Sequence, residues 1–515
     1  MKSPIVLLFY LCVSSIFAQS NPFYENLPLG KYAVGFKIFS FIDSSRVDKP
    51  RFDYFNTEEI GDLHRKITVH LWYPARPNTS QGKLSYGDYA YCHILSSTKE
   101  KLEEEKKQAA LNSAKNSLQG FYGPIGDADW QKLLATPFLA QKEAVAIPEK
   151  FPLLVGTLRP LSTTITNELL ASNGYVVAMV LAPGGKQPLT YISDVADMQQ
   201  AIARLSRRTL FDENKIGTFG FSGSGFAQIL LAMQDPRIAA VADIESALYG
   251  EGIYPIFSSS NYYDVSKLSV PFLHIYSKAL GETDVQFEDF YKKKYAQRYH
   301  LSLNFRPWHH WDVATEGRAS TTVLHLRGQK EAGIKASFEL SNSYLLHFFN
   351  AFLKNIPTSR NIIDHKKSIT TYADSLWSIQ QYPALTPPPS RAQFLEVIQR
   401  KGIEAALALA RQYHELDATA EFIHENALNQ SARDLEAQNQ RKQRLALMSL
   451  AVEYYPQQAW LWNNLSSMQE DEGNTVEAIR CAEKVVTLLA DDKGNEQSFN
   501  QRILKSAQAR LKRIK

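Results

Sequence analysis

Five short apolar runs in the middle of the chain constrain its fold more tightly than any other feature. FPLLVGT (151–157), YVVAMVLAP (175–183), KIGTFGF (215–221), IAAVADIE (238–245) and VPFLHIYS (270–277) are almost unbroken in apolar residues, as strands covered on both faces are. Helical stretches separate the first four: ITNELLASNG, closed by a glycine; a stripe of Ile192, Val195, Met198, Ile202 and Leu205; and FAQILLAMQ. Buried strands divided by helices describe a mostly parallel sheet with helices on both sides. The expected class is therefore a doubly wound α/β domain over residues 19–355.

Upstream, HRKITVHLWYPA (64–75) sets Ile67, Val69 and Leu71 against Thr68, His70 and Trp72, the period of a half-buried strand. STKEKLEEEKKQAALNSAKNSL opens on a Ser97-x-x-Glu100 capping box and carries dense i,i+4 charge pairs, which makes an exposed helix. It begins a helical insertion, about 96–145, expected to lie over one end of the sheet with its charged half solvated. Further on, YPALTPPPS holds four prolines in nine residues and reads as a stiff linker, drawn at 356–390.

Residues 391–515 carry only helical patterns, and these repeat. Trp462, Leu465, Gly473, Ala478 and Val485 fall at the spacings of a tetratricopeptide repeat. Thirty-four residues earlier, Leu428, Asn439 and Ala451 stand under Trp462, Gly473 and Val485, and Pro456 closes the unit. Arg444 occupies the small-residue place that matches Ala478, so the earlier repeat is degenerate. FLEVIQRKGIEAALALARQY supplies a third helix pair to cap the array. Such a tail offers a surface for a protein partner.

The N-terminus, MKSPIVLLFYLCVSSIFAQS, has one early lysine, an apolar run and small or polar residues up to Ala18. That is the layout of a signal peptide, 1–18, and implies a secreted or periplasmic protein. The run is too short to span a bilayer, and no later segment is apolar enough, so no membrane span is expected after cleavage. Cys12 leaves with the peptide, and Cys92 and Cys481 are too few to make a disulfide framework. A net charge of +4 with dispersed Lys and Arg excludes a nucleic-acid footprint.

Chemistry enters at KIGTFGFSGSG. A nucleophile elbow needs a strand that ends abruptly, small residues two places either side of the nucleophile, and a helix directly behind. Gly220 and Ser224 flank Ser222 at those places, and FAQILLAMQ follows. The partners of such a serine come later in the chain as an acid and then a histidine, each in a loop after a strand. Glu245 ends the strand after the elbow helix, twenty-three residues beyond Ser222; Asp284 follows the next strand; Asp243 lies two residues early on the side of Glu245. For the base, WHHWDVA supplies His309 and His310. Apart from Asp312 no residues of metal-ligand spacing surround them, so neither metal nor cofactor is expected.

From about Leu29 to Lys354 the chain resembles the platelet-activating-factor acetylhydrolase and dienelactone-hydrolase branch of the α/β-hydrolases. The resemblance is carried by GKYAVGFKIFSFIDSSR, RKITVHLWYPA, FPLLVG, ASNGYVVAMV, KIGTFGFSGSG and DPRIAAVADIES. It implies Ser222 as nucleophile, Glu245 as acid, and His310 as base because Val313 stands the family's three places beyond it. Where the family has a His-Gly-Leu-Gly type loop, this chain reads Leu158-Arg159-Pro160-Leu161. Proline has no N–H to offer an oxyanion. The donors expected are the N–H of Gly223 and, if the loop shifts, that of Arg159 or Leu161. The function expected is hydrolysis of a small-molecule or lipid ester, with a short acyl or acetyl group, through an acyl-enzyme. The alternatives are a catalytically weak or inactive hydrolase fold that binds a ligand, and a helical-repeat interaction protein on an α/β scaffold.

Overall fold

A computed structural model describes residues 21–47, 63–78, 82–95, 101–158, 161–181, 191–207, 211–246, 258–277, 290–305, 309–323, 329–365, 372–492 and 498–514. The expected signal peptide, the Ser97–Glu100 capping box, Arg159, Pro160 and the alternative acid Asp284 lie outside the described residues. The chain divides into two compact units, Met1–Leu385 and Thr386–Lys515.

In order, the first unit runs β1 (Ala33–Val47), β2 (His64–Ala75), β3 (Lys83–Ser85), α1 (Tyr86–Cys92), α2 (Glu104–Tyr122), α3 (Asp127–Ala135), β4 (Pro137–Lys142), β5 (Phe151–Leu158), α4 (Thr164–Ser172), β6 (Val176–Leu181) and α5 (Tyr191–Ser206). It continues with β7 (Phe211–Phe221), α6 (Ser224–Gln234), β8 (Ile238–Ile244), β9 (Phe272–Ser277), β10 (Arg298–Leu303), α7 (Thr315–Val323), α8 (Gln329–Leu353), α9 (Pro357–His365) and β11 (Trp377–Tyr382). All the strands join one sheet in the order β11-β10-β9-β8-β7-β5-β6-β2-β1-β4-β3. From β6 across to β10 neighbouring strands are parallel. Because β6 and β7 flank β5 on opposite sides, the winding reverses there, which makes the carboxyl ends of β5 and β7 a topological switch point.

Each face of the sheet is covered. On one, Val195, Met198 and Ile202 of α5 and Phe226 and Leu230 of α6 bury Leu153, Val155 and Ile216. On the other, Ile165 and Leu169 of α4 and Phe349 and Leu353 of α8 share one core with Leu154, Val177 and Phe219, and Phe349 lies against Phe219 at 6.1 Å between centroids. This double cover corrects the expectation for β2. Thr68, His70 and Trp72 are as buried as Ile67, Val69 and Leu71, because β2 lies inside the sheet between β1 and β6. The insertion also holds more than helix. Its β4 pairs with β1 and β3 and extends the sheet at one edge.

The linker drawn at 356–390 starts too early. Residues 357–365 form α9, and Trp377–Tyr382 pairs antiparallel with β10 as the edge strand β11. Trp377 is buried, so side-chain burial holds this segment to the sheet although proline follows at once. Pro383 and the three prolines after Thr386 come only behind it.

The second unit contains α10 (Arg391–Lys401), α11 (Ile403–Leu416), α12 (Glu425–Ala437), α13 (Arg441–Tyr454), α14 (Ala459–Asp471), α15 (Thr475–Leu488) and α16 (Phe499–Ile514). Helices α14 and α15 begin and end thirty-four residues after α12 and α13. Asn439 and Gly473, at equivalent places between the helices of each pair, both take positive φ, 58° and 75°. Glycine and asparagine are the residues that enter that region most readily. Arg444 stays buried opposite the small Ala478 place by reaching Glu436 at 2.5 Å, with Asp471 at 3.7 Å.

A β-carbon on Gly156 of β5 would lie 2.5 Å from the carbonyl oxygen of Phe219, a backbone atom of the next strand that cannot swing aside. Gly156→Ala is expected to cost about 2 kcal/mol of folding free energy through overpacking, read as a lower urea midpoint with an unchanged slope.

Candidate active site

Beyond the ends of three neighbouring strands the chain turns left-handed at a residue other than glycine. Leu161 follows β5 with φ 67°, Ser222 follows β7 with φ 58°, and Glu245 follows β8 with φ 49°. An L-residue loses on the order of 1 kcal/mol in that conformation and keeps it only when its surroundings impose it. For Ser222 they do. Its N–H donates to the Ile244 carbonyl at 2.9 Å, and its carbonyl accepts from the Gly225 N–H at 2.9 Å. A β-carbon on Gly220 would lie 2.6 Å from the Gln228 amide, and one on Gly225 would lie 2.7 Å from Ser246 Cβ. On the far side of the serine, then, close approach is made at Gly225 rather than at Ser224, which explains why serine is tolerated at the second small place.

Gly223 sits at the head of α6 with φ −55°. The first N–H groups of a helix lack partners within it and face outward with the positive end of the helix dipole. The N–H of Gly223, directly behind the serine, belongs to this group. Leu161 is buried, and its carbonyl accepts from the Thr164 N–H at 2.9 Å.

Glu245 is fully buried. Its N–H donates to the Ile275 carbonyl at 2.8 Å, and its carboxylate accepts from the Ser277 N–H. The other carboxylate oxygen lies 3.4 Å from His310 Nδ1, long for a hydrogen bond. The His310 ring, about one-fifth exposed at 21%, stacks on Phe221 at 4.8 Å between centroids. Phe221 immediately precedes Ser222, so the imidazole stands at the end of the strand that leads into Ser222.

Of the residues expected from sequence, the structure thus brings Ser222, Gly223, Glu245 and His310 to one end of the sheet. His309 is turned to another use. Its Nδ1 accepts from the Trp311 N–H at 3.3 Å, its own N–H donates to Asp312 at 2.8 Å, and its ring packs against Phe121 at 5.0 Å. Asp243 is engaged by His274 Nδ1 at 2.8 Å. Glu245 has left the strand conformation, so the period of two no longer puts the two carboxylates on one side.

Two supports of the site had no clear signal in the sequence. At the end of α2, Phe121 stacks on Trp311 at 4.8 Å and the Tyr122 hydroxyl donates to Asp312 at 2.9 Å, so the insertion braces the histidine turn. The second is Glu316 in α7. Ser162 donates to its Oε1 at 3.1 Å, and the Thr315 N–H donates to the Ser162 carbonyl at 2.9 Å. These bonds tie the loop after β5 to the segment that follows His310.

These observations define a fold of the α/β-hydrolase type, a mostly parallel doubly wound sheet, followed by an all-α region. No family model and no curated protein matches the chain. Among solved structures it is similar to a ferulic acid esterase from Streptomyces cinnamoneus, with 17% identity and a TM-score of 0.45, over 68% of this chain and 97% of that one.

Burial raises the Glu316 carboxyl from an ordinary 4.5 to about 7. The folded state therefore holds this proton more firmly than the unfolded chain, and stability falls as pH rises from about 4.5 to 7. Each tenfold in proton affinity is about 1.4 kcal/mol, so the full penalty above pH 7 is about 3 kcal/mol. Glu316→Gln is expected to melt higher than the wild type at pH 8, with the difference vanishing near pH 4. Parallel melts across that range check both the sign and the window.

Proposed function

We propose that this chain is a serine hydrolase of esters, in which Ser222 is the nucleophile, His310 the general base and Glu245 the acid that orients it. The observation that carries the reading is the left-handed elbow at Ser222 beside a buried Glu245 that faces His310. Ser222 Oγ attacks the ester carbonyl while His310 takes its proton, and the imidazolium that forms is stabilised by the Glu245 carboxylate. Negative charge on the carbonyl oxygen is met by the Gly223 N–H, with Leu161 as the candidate second donor. The imidazolium returns its proton to the leaving alcohol, which departs to leave an acyl-enzyme, and water activated by His310 releases the acid.

The sequence features quoted for the platelet-activating-factor acetylhydrolase and dienelactone-hydrolase branch favour a short acyl group. The residue pattern at 1–18 favours a secreted or periplasmic enzyme. The matched helix pairs favour a tetratricopeptide-like tail that docks a protein partner.

Fluorophosphonate probes report an activated serine whatever its natural substrate. One adduct is expected by intact mass, on Ser222, and none in Ser222→Ala. Glu245→Gln and His310→Ala should each lower kcat for p-nitrophenyl acetate by roughly two to four orders of magnitude, whereas His309→Ala should do less, through the turn it caps. A wild type that takes no label would favour a hydrolase fold used only for binding.

A further inference from the structure

We infer that Asp243, through Ser246 and His274, is a positioning residue for this site: it holds closed the turn that carries Glu245. The inference rests on the reading of Ser222, Glu245 and His310 given above. Asp243 is the penultimate residue of β8, level with Gly220 of β7 and His274 of β9. Its carboxylate receives His274 Nδ1 at 2.9 and 2.8 Å on its two oxygens, and the Ser246 hydroxyl on the second. All three side chains are buried.

Ser246 comes three residues after Asp243, on the far side of the left-handed Glu245. The bond between them therefore closes a ring around Glu245, and that ring requires the chain to reverse at the acid. A residue with positive φ relaxes unless such a contact holds it. The same pair also braces the nucleophile. A β-carbon on Gly225, the second residue of α6, would lie 2.7 Å from Ser246 Cβ and 3.3 Å from Asp243 Cβ, so the elbow helix rests directly on the bond. One carboxylate thus fixes both the acid's turn and the floor under the serine. Lys293 is also buried nearby; burial lowers its ammonium to about 7, and the neighbouring Asp243 opposes that shift.

The test compares the full chain with Ser246→Ala and Asp243→Asn. Ester hydrolysis is followed from about pH 5 to 9, alongside fluorophosphonate labelling and melting temperature. If the inference holds, kcat falls by on the order of tenfold or more while KM stays within about twofold. The acid limb of the activity profile also moves to lower pH, because a loosely held Glu245 favours the imidazolium less. Unchanged kcat and profile overturn it. So does a loss of activity that leaves the limb in place, which marks general destabilisation. A wild type that fails to label at Ser222 removes the underlying reading and this inference with it; a labelled wild type with unaltered variants removes the inference alone. Should Asp243→Asn not fold, Ser246→Ala, which deletes a single hydroxyl, decides.

Discussion

The hydrogen bond from the Ser222 N–H to the Ile244 carbonyl, 2.9 Å long, joins β7 and β8 at the point where both strands stop. It allows Ser222 and Glu245 to turn left-handed side by side, because each turn begins from a backbone the other holds. A further bond, from the Glu245 N–H to the Ile275 carbonyl, extends the same ladder to β9. The strain at the two residues is thus carried by sheet pairing rather than by local sequence. The large cores on both faces keep those strands in register, and so the site depends on packing far from it.

The histidine turn is supported from a different direction. His310 hangs from a short turn closed by His309 and Asp312, and that turn is gripped by Phe121 and Tyr122 at the end of α2. From its other side the turn runs into Thr315 and Glu316, which hold the loop after β5. These contacts connect the insertion, the histidine turn and the loop after β5. Glu316, whose Oε2 has no hydrogen-bond partner among the described residues, is the buried carboxyl in this connection, and burial raises its pKa.

The helical unit follows simpler rules. Its two matched pairs, α12–α13 and α14–α15, keep equal helix lengths and a left-handed residue at the same place, so each pair presents the same face to the next. Arg444 is the exception within this pattern. It is buried at the place where the later pair has alanine, and its guanidinium reaches Glu436 and Asp471, which are more than half exposed.

Much of this was legible in the residues. The apolar runs marked the parallel strands, the glycine-rich string marked the elbow, and the period of thirty-four marked the paired helices, because each of these is written in contiguous or evenly spaced positions. What escaped was non-local. The strand in the insertion, the edge strand before the prolines and the burial of both faces of β2 from Ile67 onward follow from which strands become neighbours, and a single segment carries no record of its neighbours. The same holds at the site. Sequence alone singled out Ser222, whose local geometry is encoded in the residues around it. Only the tertiary structure decided that Glu245 faces His310 while Asp243 turns to His274 and His309 caps a turn, because those partners meet through sheet register and loop packing across wide separations in the chain.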